Sequence, residues 1–149
     1  MTTYLILDEN IIILSAKVED EQGNPDNTCT ELISDILSNQ DIIRVNVELF
    51  ENYTNVLKSL ESRIHSTSYT VKLLNLLRGA GSIHFWTSDL YELENEEQLP
   101  DDDIYLVRLA AGSRTDLVST DSPLGKAMSD AKILTKYRIR FLEPQQVYS

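Results

Sequence analysis

Residues Asp102 to Asp121 read DDIYLVRLAAGSRTDLVSTD, and the order of elements in this stretch decides the fold. Two carboxylates open it and a third closes it. Between them an apolar segment (Ile104, Leu106, Val107, Leu109, Ala110, Ala111) runs to Gly112-Ser113, followed by the short β-type run Leu117-Val118-Ser119-Thr120. The pattern predicts helix, stop and strand. Acids at the start of such a helix are expected to cap its free backbone N–H groups. Asp121 falls where the strand ends, the edge at which open α/β sheets carry their sites. A second acid-tipped strand opens the chain: Tyr4-Leu5-Ile6-Leu7, then Asp8. Two such edges in one small domain point to carboxylates converging on a cation.

The flanking chain supports an α/β domain. Thr3 to Leu7 is a near-continuous apolar run, the mark of a strand buried on both faces. Ile11 to Ala16 predicts a short helix, and Glu19 to Asn27, with Gly23 and Pro25, a loop. Thr28 or Thr30 starts a helix through Leu37 that Asn39-Gln40 breaks, and Ile42 to Val45 is a second strand. Phe50, Tyr53, Leu57, Leu60 and Ile64 recur at helical spacing. A further helix is expected from Ser66 or Thr67 through Val71, Leu74 and Leu77, stopped by Gly79-Ala80-Gly81. Ile83 to Trp86 is a third strand and Glu92 to Pro100 an acidic loop. After the central helix and strand come a weak helix around Lys126 to Ile133 and a last strand, Arg138 to Leu142. Alternating strands and helices predict a central, mostly parallel sheet of four or five strands flanked by helices, with residues 3–7 and 116–120 adjacent.

The 149 residues fit a single domain over 1–149. A chain of this length buries roughly 70% of its unfolded surface. Its net charge is −11, which argues against tight nonspecific nucleic-acid binding and fits a basic partner or a cation held in an acidic cleft. The first fifty residues hold only Lys17 and Arg44 as basic groups, whereas Lys126, Lys132, Lys136, Arg138 and Arg140 cluster late, a tail that either steers a polyanion or, as is commoner for such spacing, forms a solvated surface. Cys29 is alone, so no internal disulfide forms. With no signal peptide and no membrane-length apolar run, a reduced, cytoplasmic protein is expected. Asn52-Tyr53-Thr54 matches a glycosylation acceptor by chance. His65 and His84 are isolated, and no His- or Cys-rich metal pattern occurs.

The motifs, taken together and in order, resemble those of PIN domains. L-I-L-D-E-N-I-I-I-L-S-A, around Asp8, is similar to the family's opening strand, acid and apolar run. L-F-E-N-Y-T-N-V-L resembles its second-acid helix, D-D-I-Y-L-V-R-L-A-A-G its third block, V-S-T-D its fourth, and I-R-F-L-E-P-Q-Q-V its closing strand. The resemblance spans essentially the whole chain. It implies a three-layer α/β nuclease, often the VapC-type toxin of a toxin–antitoxin pair, that holds Mg²⁺ or Mn²⁺ with about four acids and cuts single-stranded RNA. Carried over residue by residue, those acids are Asp8, Glu51, Asp103 and Asp121, with Asp102 the rival of Asp103. Asn10 and Ser119 would order metal waters or tie down a turn, and Asp116 would cap the strand entrance. The expected partners are an RNA substrate and a basic antitoxin protein, with a homodimer possible.

Three positions depart from the family's pattern. Glu9 stands where Thr or Ser is usual, Asn52 where the second acid is usual, and Pro123 where a further acid often follows. Glu48 and Glu51 both lie off the apolar stripe of their helix. A non-catalytic PIN-fold binding protein acting through a protein partner is therefore the alternative. A receiver-type signalling domain is weaker, lacking a phosphoacceptor Asp on the third strand and a late Lys-Pro pair.

Overall fold

The computed structural model describes residues 2–61, 81–87 and 92–148. The helix expected from Ser66 or Thr67, the position of Ile64 and His65 lie outside the described residues. Five strands form one all-parallel sheet: β1 (Tyr4–Leu7), β2 (Ile42–Val45), β3 (Ile83–Phe85), β4 (Asp116–Val118) and β5 (Phe141–Leu142). The strand order is β3-β2-β1-β4-β5. β1 pairs with β2 through Tyr4↔Ile42 and with β4 through Leu5↔Asp116, Ile6↔Leu117 and Leu7↔Val118. The adjacency expected for residues 3–7 and 116–120 is present. The described helices are α1 (Glu9–Lys17), α2 (Thr28–Ser38), α3 (Val47–Glu61), α4 (Ile104–Ser113), α5 (Ser122–Asp130) and α6 (Ile133–Tyr137). None of them is long and apolar enough to cross a membrane.

The topology follows from a few local facts. Leu5, Ile6 and Leu7 are buried, as the unbroken apolar run requires of a central strand. The chain winds from β1 outward to β2 and β3, then returns past β1 to β4. Right-handed crossovers in opposite directions put helices on opposite faces of the sheet. α1 packs on α2 and α3, while α4 packs on α6 and β4. The strand order therefore reverses between β1 and β4, and the crevice beyond their carboxyl ends is where such sheets bind ligands.

Four boundaries differ from those expected. The central helix does not stop at Gly112-Ser113. It runs through Ser113, whose hydroxyl bonds back to the Leu109 carbonyl at 2.6 Å, and ends on Arg114, held left-handed at φ 50°. The late helix starts at Ser122, earlier than Lys126, because Asp121 caps it and Pro123 suits a first turn. Lys132, with φ 61°, separates it from α6. The last strand starts at Phe141, since Arg138 is left-handed at φ 57° and the Arg140 N–H goes to the Asp116 carboxylate. In α3, Leu49 takes the buried stripe with Tyr53, Leu57 and Leu60, and Phe50 sits partly buried against the Phe85 ring at 5.1 Å.

Several of the described basic residues are tied into the structure. The Arg44 guanidinium lies 4.2 Å from the Tyr4 ring centroid and donates to Thr115 Oγ1 at 2.7 Å, tying β2 to the start of β4. Lys136 pairs with Glu94, and Arg140 with Asp116 at 2.7 Å. Within the exposed late basic cluster, Lys126 (to Asp130 at 3.9 Å), Lys136 and Arg140 are ion-paired.

Tyr53 links α3 to the end of β1. It is fully buried, and its hydroxyl donates to the carbonyl of Leu7, the residue before Asp8. Tyr53→Phe keeps the ring and deletes this bond. The expected cost is about 1 kcal/mol, which for a domain of this size lowers the melting temperature by roughly 2–4 °C. An unchanged melting temperature would show that the bond contributes nothing.

Candidate metal centre

Asp8 follows β1 directly and is the N-cap residue of α1, yet its side chain makes no capping bond. Its backbone is clamped instead: the N–H donates to the Val118 carbonyl at 2.9 Å, and its carbonyl accepts from the Ile11 N–H at 3.0 Å. The carboxylate is therefore held in place but left for the site. It is only 7% exposed.

Ser119 is the hub around it. Fully buried just past β4, its hydroxyl donates to Asp8 Oδ2 at 2.8 Å. The same oxygen accepts from the Asp121 N–H at 3.0 Å and from Asn10 Nδ2 at 3.4 Å. One hydroxyl thus gathers the ends of β1, α1 and β4. Asp121 caps α5, accepting from the Leu124 N–H at 3.1 Å through Oδ1.

Asp103 ends a 3-10 turn, Asp101–Asp103, and precedes α4. The expectation that the acids here cap the helix is not met, because the Asp103 side chain makes no capping bond. It faces the crevice instead. Burial, then the charges of Asp8, Asp121 and Asp102, push its carboxyl up to about 6. Burial also raises Asp8, with the charges of Glu9 and Asp121 adding to it and the Ser119 hydrogen bond opposing it. Asp8, Asp103 and Asp121 are thus brought within electrostatic reach of one another. Asp102 is exposed and touches this group only through Asp103.

Glu51 is not brought in. It is exposed on α3 and is absent from the charges that act on Asp8 or Asp103. Its neighbour Asn52 turns inward and donates to the Tyr105 hydroxyl at 2.8 Å. Tyr105 is half-buried, and burial together with Glu9, Asp8 and Glu48 pushes it up to about 12, against the lowering effect of the Asn52 bond. Tyr105 was not legible as a site residue, since its place in an apolar helix reads as core. Helix phase alone would have separated Asn52, one position before buried Tyr53, from exposed Glu51.

Carboxylate and amide oxygens are the donors that a hard divalent cation takes. Asn10 Oδ1 is buried beside the cluster with no hydrogen-bond partner, an unused oxygen ligand or water acceptor. Among the described residues no Lys or Arg is among the charges acting on Asp8 or Asp103. Among the described residues no group of three or more His, Cys, Asp and Glu side chains could together hold a metal ion. Mg²⁺ keeps several waters and takes only one or two protein carboxylates, so it does not require such a group. No family model, curated protein or solved structure matches the chain.

The raised carboxyls make stability depend on pH. Asp103 binds its proton more tightly folded, at about 6, than at its ordinary 3.8. Its contribution is complete below the ordinary value and is lost as pH rises through the folded one. Asp8 acts in the same direction. Glu96, lowered by its Arg108 bond, acts oppositely but below its ordinary 4.5. The melting temperature of the cation-free protein should therefore fall between pH about 4 and about 6.5. Asp103→Asn should flatten that slope, and saturating Mg²⁺ should reverse it near neutrality. A flat profile for the parent would show that the carboxylates do not interact.

Proposed function

We propose that the protein hydrolyses phosphodiester bonds of single-stranded RNA with Mg²⁺ or Mn²⁺ held by Asp8, Asp103 and Asp121. The observation that supports this is that three carboxylates act on one another, with no basic group among the described residues acting on Asp8 or Asp103, at the point where the strand order reverses. The choice of RNA, and of a PIN-type toxin as the class, rests on the resemblance of the sequence motifs. Asn52, in place of an acid, favours a second reading, a PIN-fold protein that binds without cutting. A reduced, cytoplasmic location accords with the buried free thiol of Cys29.

The chain's own residues divide the work. Ser119 holds Asp8 Oδ2, so Asp8 presents a fixed carboxylate edge. Asp121 is oriented by Ser119 and by the turn it caps. Asp103 keeps a proton up to about pH 6 without a cation, so cation binding displaces that proton and weakens in acid. A bound divalent ion supplies Lewis acidity and lowers the pKa of water. Cys29 is no rival nucleophile: burial, with Asp26 and Glu21 adding to it, pushes its thiol up to about 11.

Cleavage of single-stranded RNA should require Mg²⁺ or Mn²⁺ and stop with chelator. Asp8→Asn and Asp121→Asn should each lose activity by about a hundredfold or more while staying folded. Glu51→Gln should stay close to the parent. Cleavage surviving in excess chelator would sink the mechanism, and a parent that binds no divalent ion would favour the non-catalytic reading.

A basic protein partner, the antitoxin of this reading, is supported by the surface beside Asp121. A cleft of about 530 Å³ lined by Asn10, Thr120 and Asp121 adjoins one of about 420 Å³ lined by Glu19, Asp20 and Asp26, and Glu21 borders both. No Lys or Arg lines either. An Arg-tipped segment would find charge complementarity there. A co-expressed basic partner should co-purify and restore growth, and Asp20→Lys with Glu21→Lys should release it. Unhindered growth of cells making the protein alone would count against a toxin.

A further inference from the structure

Asn52 stands where a fourth acid would have been expected, and its amide is committed. Nδ2 donates to the Tyr105 hydroxyl at 2.8 Å. A phenol that accepts a hydrogen bond still has its own proton to give. Among the described residues the Tyr105 hydroxyl has no other hydrogen-bond partner. Its charged neighbours are Asp8, Glu9 and Glu48, all acceptors. Tyr105 and Asn52 lie on the α3 side of Asp8, and Ser119 and Asp121 on the β4 side.

A phosphodiester approaching three carboxylates meets repulsion everywhere except at a bound cation. A lysine or arginine here would attract it, but would also pair with the carboxylates and compete with the cation. A neutral donor attracts the phosphate without that competition. We propose that the Tyr105 hydroxyl, oriented by Asn52, donates a hydrogen bond to a non-bridging phosphate oxygen of the substrate. Tyr105 then contacts substrate and Asn52 is a positioning residue. In place of the charge of a fourth ligand, Asn52 supplies direction to a phosphate-binding group. The inference rests on RNA being the substrate.

The test is equilibrium binding of a fluorescein-labelled single-stranded hexaribonucleotide in Ca²⁺, with Mn²⁺ affinity and melting temperature measured on the same proteins. Tyr105→Phe should bind RNA about tenfold more weakly, as expected for a lost bond to an ionised acceptor, with Mn²⁺ affinity held and the melting temperature lowered by no more than the roughly 2–4 °C that loss of the Asn52 bond costs. Asn52→Asp should weaken RNA binding similarly, because the new carboxylate takes the phenol's proton. If Tyr105→Phe fails to fold, Asn52→Asp alone decides. RNA binding equal to the parent's in Tyr105→Phe would overturn the proposal while leaving the RNA reading intact. Tighter Mn²⁺ binding in Asn52→Asp with undiminished RNA affinity would also overturn it, marking position 52 as a ligand site short of a charge. A parent that binds no RNA would remove the RNA reading itself, and the role of Tyr105 with it.

Discussion

The hydrogen bond from Ser119 to Asp8 is the contact on which the site depends. It joins residues 111 positions apart in sequence, and it forms only because β1 and β4 are register partners through Leu7↔Val118. The Asp8 N–H then continues the ladder to the Val118 carbonyl. Two strands pulled together by apolar burial leave their following residues side by side, and both are polar. Hydrophobic packing thus supplies the energy that crowds like charges, which no carboxylate cluster could supply for itself.

The parts of this arrangement legible in the sequence are those set by short-range pattern. The run Leu5-Ile6-Leu7 before Asp8, and Leu117-Val118 before Ser119, mark strands whose ends bear polar groups. Parallel pairing and the adjacency of the two ends follow from alternation of strands and helices. What was not legible depends on side-chain direction. Glu51 and Asn52 are neighbours, and only the phase of α3, set by Leu49 and Tyr53, turns one outward and the other in. Phe50 seemed to define that phase, but it is only partly buried, against Phe85. Asp103 was legible as an acid before a helix, while its freedom from capping is a matter of local backbone geometry.

Charge is distributed by the same logic. Acids recur at two neighbouring places, the group of Asp8, Asp103 and Asp121 and the cleft lined by Glu19, Asp20, Glu21 and Asp26. Arg44 is spent on Tyr4 and Thr115, and Arg140 on Asp116. On the proposed reading, attraction for an anionic substrate would come through a cation or through neutral donors. Substrate affinity would then be conditional on metal supply, since without the ion the crevice would repel what it is proposed to bind.

Helix ends show a different economy. Val18, Arg114 and Arg138 are left-handed C-caps, and Gln40 lies just past α2 in the same region, although none of them is glycine. An L-residue there costs on the order of 1 kcal/mol, and a β-branched one such as Val18 more. Gln40, Arg114 and Arg138 precede β2, β4 and β5, at the strand ends opposite the crevice. The fold therefore carries removable strain in its connections, and glycine or asparagine at these places offers a route to a more heat-resistant protein whose carboxylate cluster is left as it stands.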